Sequence, residues 1–147
     1  MNHVSQKIHV GLYLRGDKLD PDLLSAIVGT IPSAWQRKGE TVATSTGRIV
    51  TKNIGLWALI SESESLSQSI DEVIRLADKP LKWTETERQA LTSLPGVEEG
   101  YIDIFIGGTS VTLGGGTCEF ELSEVQTAAI AKLRLPICFT IAIVPEK

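Results

Sequence analysis

Lys7-Ile8-His9-Val10-Gly11-Leu12-Tyr13-Leu14-Arg15 alternates with a period of two. Ile8, Val10, Leu12 and Leu14 point one way, and Lys7, His9, Tyr13 and Arg15 the other, because successive strand side chains face opposite sides. The stretch is a half-buried strand with one face on a core. Outward from it, Gly16-Asp17-Lys18 turns the chain and Asp20-Pro21 opens a helix. Asp accepts hydrogen bonds from the loose N–H groups of a first turn, and Pro at the first helical position gives up only an N–H that would be unpaired. Leu23, Ile27 and Ile31 recur every fourth residue beside Leu24 and Val28, which makes one apolar face. Gly29 and Pro32 end the helix.

Beyond it, Trp35 to Glu40 reads as a bend or short extended piece, and Thr41 to Lys52 as a polar surface loop with a short edge strand at Arg48-Ile49-Val50. Leu56-Trp57-Ala58-Leu59-Ile60 is apolar on both faces and reads as an interior strand. Ser65-x-x-Gln68 resembles a capping box for a helix carrying Leu66, Ile70, Val73, Ile74 and Ala77 on one face, stopped by Lys79-Pro80. Thr84-x-x-Glu87 matches a second box, predicting a shorter helix that runs through Leu94. Tyr101 to Ile106 is a strand. Gly107-Gly108 and Gly114-Gly115-Gly116 flank Thr109 to Leu113, which predicts a hairpin leading into Thr117 to Glu121. Ser123 caps a last helix with Val125, Ala129, Ile130 and Leu133 inward. Ile137 to Val144 is apolar on both faces and reads as a central strand.

The two halves of the chain rhyme. Each has a strand, a capped helix ending near a proline (Ile31-Pro32 and Leu135-Pro136) and another strand. The pattern predicts one α+β domain over residues 1–147: a mixed, mainly antiparallel sheet with helices packed on one face, built from two strand-helix-strand halves.

Composition narrows the function classes. A chain of 147 residues is long enough to bury a core without staples. A net charge of -4 argues against nonspecific nucleic-acid binding, which needs a net-positive face. No apolar run approaches the roughly 18 residues of a membrane span. The opening Met1-Asn2-His3-Val4-Ser5 has no basic region followed by an apolar core, so a cytoplasmic protein is expected. Cys118 and Cys138, in strand-like contexts, are expected to be buried reduced thiols.

A search for chemistry yields no catalytic set. No Gly-x-Ser-x-Gly elbow is present, and no nucleophile is paired by sequence with His3 or His9. Cys-x-x-Cys and His-Glu-x-x-His are absent, so no metal is expected. The pairs Glu62/Glu64 and Glu119/Glu121 would each share a strand face, suited either to solvent or to a basic partner. Gly114-Gly115-Gly116-Thr117 leads into Cys118-Glu119-Phe120-Glu121 rather than into a helix N-terminus, which points to a loop and not a phosphate cradle. No cofactor is expected.

The binding candidates are therefore Trp35, Arg37, Lys38, Glu40 and Trp57, with Glu62 and Glu64 on an acidic surface. Trp and Arg are frequent interface anchors. The same residues have a purely structural reading, with Trp35 plugging the open end of the core and Arg37 or Lys38 stacked on it or paired with Glu40. A third reading makes the two tryptophans the walls of an apolar pocket for a small molecule, in a ligand-binding or regulatory domain.

Gly16-Asp17-Lys18-Leu19-Asp20-Pro21, then Gly29-x-x-Pro32, Trp35-x-Arg37-Lys38-Gly39-Glu40 and Gly55-Leu56-Trp57 follow one another in an order that resembles a bacterial family known as domain of unknown function 4279. The resemblance extends over nearly the whole chain and brings no catalytic residues with it. It implies a non-catalytic role, that of an immunity protein neutralising a cognate toxin by stoichiometric occlusion. The partner would be a protein toxin, with neither nucleic acid nor membrane involved; the oligomeric state is left open.

Overall fold

The computed structural model describes residues 4–110 and 119–145. His3, the Gly114–Gly116 run, Thr117 and Cys118 lie outside the described residues. The fold is α+β. Its main sheet comprises β1 (Val4–Gly16), β2 (Ala34–Gln36), β5 (Gly55–Ser63), β6 (Glu99–Ser110) and β7 (Ile137–Pro145), in the order β2-β5-β1-β6-β7. β3 (Thr41–Ala43) and β4 (Ile49–Thr51) make a separate two-stranded hairpin. The helices are α1 (Pro21–Val28), α2 (Leu66–Leu76), α3 (Asp78–Glu87) and α4 (Glu124–Ala131).

β1 is the centre of the sheet, paired antiparallel with β5 on one side and β6 on the other. Its apolar row Ile8, Val10, Leu12 and Leu14 is fully buried, flanked by Trp57 and Leu59 of β5 and by Ile102, Ile104 and Ile106 of β6. Leu24 and Val28 of α1, with Leu66, Ile70 and Val73 of α2, join the same core, as do Ile130, Leu133 and Leu135 at and after α4. Full burial of one such side chain contributes about 1.5–3 kcal/mol, so this single core outweighs every exposed contact described below. The predicted halves both have a helix between parallel strands. β6-α4-β7 joins neighbours, whereas β1-α1-β2 spans β5, which is antiparallel to both.

The helix starts follow local chemistry. The Asp20 side chain accepts from the N–H of Asp22, and Gly29 closes α1 in the left-handed region (φ 72°). Ser65 accepts from the N–H of Gln68, and Ser123 with Gln126 forms a reciprocal capping box. Gln126 is itself buried. Its amide donates to the carbonyl and hydroxyl of Ser67 and to Asp71, which ties α4 to α2.

Several expectations are corrected. Pro80 does not end the second helical region. It sits in the first turn of α3, where its missing N–H costs nothing. Thr84 is no cap, because its hydroxyl donates to the Leu81 carbonyl inside α3, and only a short 3-10 turn (Leu91–Ser93) remains of the helix predicted through Leu94. β6 runs straight through Gly107-Gly108, so no hairpin turn lies there. Glu119–Glu121 is not in a strand. Ile31 is exposed and Val125 faces solvent, Gln126 taking the inward place predicted for Val125. Cys138 is exposed rather than buried. β7, predicted central, lies at an edge of the sheet among the described residues.

Candidate functional site

The helices cover one face of the sheet, and the other carries the odd-numbered residues of β1 and β6 and the even-numbered residues of β5. Register places Glu62, His9 and Phe105 in one row, Ile60, Gly11 and Asp103 in the next, then Ala58, Tyr13 and Tyr101, then Leu56, Arg15 and Glu99. Gly11 is what lets these rows interact. A Cβ there would overlap the Tyr13 ring, so glycine gives the ring room to lie along the strand over its backbone. Laid down in this way, the Tyr13 hydroxyl reaches His9 Nε2 at 2.7 Å. His9 Nδ1 lies 3.1 Å from Glu62 Oε1. With the Nδ1 proton donated to the carboxylate, Nε2 accepts from the Tyr13 hydroxyl, and both ring nitrogens are satisfied. The Tyr13 and Tyr101 rings stack at 5.4 Å. Phe105 lies over Gly107 much as Tyr13 lies over Gly11.

Burial, reinforced by the charges of Asp103 and Glu62 and by Tyr101, holds the Tyr13 phenol above its ordinary range. The phenol is therefore neutral at physiological pH, a hydrogen-bond donor rather than a base or nucleophile. One shallow hollow, lined by Lys7, His9, Glu62, Asp103 and Phe105, opens onto this face; a second, lined by Gln6, Lys7, Glu62, Ser63 and Glu64, lies at the end of β5 and takes in residues of both faces. Acidic Glu62, Glu64, Glu99 and Asp103 outnumber basic Lys7 and Arg15 here. Such a surface can stack, donate and accept hydrogen bonds, and attract a positive group.

The residues singled out from sequence divide between two places. Trp57 is in the core, 1% exposed, its indole N–H donating to Ser25 Oγ at 3.0 Å. The space left among Leu14, Leu24, Val28, Trp57, Leu91 and Leu94 is too small for a water molecule. Trp35 pairs with Trp57 in register but sits at the sheet edge, 55% exposed. The apolar pocket expected between the tryptophans is thus not formed among the described residues, and Trp57 is corrected from binding residue to core residue. Arg37 bridges Asp20 (3.0 Å), Asp22 and Glu40 (3.7 Å), and Lys38 pairs with Asp17 at 3.2 Å. These pairs fasten the end of β2 to the start of α1. Partial desolvation of Asp20 raises its pKa, but the hydrogen bonds from Arg37 and from the N–H groups of Leu23 and Asp22 prevail and hold it below the usual carboxylate range. Glu62 lies in β5 and Glu64 just past its end, and both line the hollow there.

His9, Tyr13, Tyr101, Asp103 and Phe105 were not among the binding candidates. The signal was present in the alternation, which already put His9, Gly11 and Tyr13 on one face of β1 and Tyr101, Asp103 and Phe105 on one face of β6. What brings the two sets together is pairing across ninety residues, as in Leu12 with Ile102. Comparisons with protein-family models, with curated proteins and with solved structures return no match for this chain.

Proposed function

We propose that this chain is a non-catalytic, cytoplasmic binding protein, an immunity protein that neutralises a cognate toxin by stoichiometric occlusion through the uncovered sheet face. The observation that carries the reading is that face itself: tyrosines, a phenylalanine, a histidine and carboxylates assembled on a rigid sheet, with a hollow among them. Aromatic groups beside hydrogen-bonding groups are what a protein interface uses. The acidic excess and the net charge of -4 suit a basic partner. Support also comes from the resemblance of Trp35-x-Arg37-Lys38-Gly39-Glu40 and Gly55-Leu56-Trp57 to the unknown-function family named above. Arg37 and Lys38 are left outside the proposed surface, since they follow β2 at the margin of the sheet, where they pair with Asp20 and Asp17. The small-molecule reading is not carried further, because its tryptophan pocket is missing.

The test is co-expression with the product of the neighbouring gene. A 1:1 complex and protection of the host are expected. Glu62→Lys combined with Asp103→Lys should abolish both while leaving the thermal unfolding midpoint close to that of the parent. Absence of protection by the parent chain overturns the immunity reading. Full protection by the charge-reversed variant overturns the assignment of the face.

A further inference from the structure

β7 has the composition of an interior strand in the position of an edge. Ile137, Phe139 and Ile141, on the helix side, are 39%, 58% and 59% exposed, and Val144 on the other side is 52% exposed. From Ile137 through Val144 there is neither a charged residue nor a proline, the usual devices that keep an edge strand from pairing. Ile137, Phe139 and Ile141 form a row of exposed apolar surface on the order of a few hundred Å², the size that marks interaction sites, and Val144 adds exposed apolar surface on the other face.

The backbone is equally prepared. The N–H of Ile102 donates to the Pro136 carbonyl in a parallel ladder that sets Ile102 beside Ile137. It follows that Cys138, Thr140 and Ala142 turn their backbone groups toward β6, while Ile137, Phe139, Ile141 and Ile143 turn theirs outward. Among the described residues nothing pairs with that outer edge.

We propose that β7 pairs antiparallel with β7 of a second copy of this chain across a two-fold axis, joining two five-stranded sheets into one of ten strands. A second copy fits because the strand is complementary to itself. Self-pairing brings no like charges together and sets apolar side chains against apolar side chains on both faces. Centred on Thr140, the register places Phe139 opposite Ile141 of the second copy and Ile137 opposite Ile143, and uses all the outward backbone groups. The two Thr140 residues then meet in a non-hydrogen-bonded pair with Cα atoms about 4.5 Å apart, within reach of a disulfide. Strand pairing alone buries less than the roughly 800 Å² per partner of a standard interface, so the dimer is concentration-dependent. The proposal is independent of the toxin-binding reading, which uses the sheet's face and not this margin.

Sedimentation and light scattering over a wide concentration range should show a monomer–dimer equilibrium. Ile141→Lys, which installs the edge charge that β7 lacks, should weaken dimerisation at least tenfold with unchanged circular dichroism. Thr140→Cys, in a chain with Cys118 and Cys138 replaced by serine, should give a disulfide-linked dimer on mild oxidation. A chain that stays monomeric at every concentration overturns the proposal, as does a dimer that Ile141→Lys leaves intact. A dimer that Thr140→Cys cannot cross-link overturns the register.

Discussion

The two edges of the main sheet are built on opposite plans. β2 is three residues long, enters after the buried Pro32 and leaves into Arg37 and Lys38, whose charges are bound to Asp20, Asp22 and Asp17. β7 is nine residues long, and its first eight residues carry no charge and no proline. A short edge followed by fixed charges offers little for another strand to pair with, whereas a long apolar edge offers a template. The difference teaches that this molecule protects one margin of its sheet and leaves the other ready to pair.

Substitutions can break or sharpen that contrast. The largest effect is expected behind the protected edge. Trp57→Ala removes a buried ring beside β2 and should cost about 3–5 kcal/mol, read from urea denaturation. Trp35→Ala, at the edge itself and half exposed, should cost about 1 kcal/mol; a loss as large as that of Trp57→Ala would mean that the ring is part of the core. Arg37→Ala should be milder and pH-dependent. The folded pKa of Asp20 is lowered, so its contribution to stability is complete above the ordinary carboxylate value of 3.8 and is lost as pH falls through the lower folded value. The stability difference between parent and Arg37→Ala should therefore be present at neutral pH and vanish on acidification, as thermal melts across that range will show. The smallest effect is expected at the open edge. Phe139→Ala, measured in the monomeric Ile141→Lys background, should change stability by no more than about 0.5 kcal/mol. A cost near that of Trp57→Ala would show that β7 is already covered within one chain, and the contrast between the edges would fail.

What could be read from the sequence was local. The alternation of β1, the Asp20-Pro21 start and the serine caps at Ser65 and Ser123 all express chemistry within a few residues, and each stands in the structure. Pro80 and Thr84 misled because the same residues have more than one local use: a proline that stops one helix can sit in the first turn of the next, and a threonine can bond backward within a helix. β7 misled for another reason. Apolarity on both faces says that a strand wants cover, but its place in the sheet depends on pairing with β6, which no local pattern records. The candidate site was half legible in the same way, its residues assigned to the correct faces while their meeting depended on strand order.

Strand order also has a consequence for time. β1 is made first among the described elements and sits at the middle of the sheet, yet its partners are β5 and, ninety residues away, β6. At a synthesis rate of roughly 5–20 residues per second, the row Ile8, Val10, Leu12 and Leu14 waits several seconds on the ribosome before both flanks exist. Every neighbouring pair around β1 is non-local, and such pairing slows folding because the loop must close before the contacts form. During that interval the row is apolar surface without cover, the kind of surface that chaperones bind and that aggregates when left free.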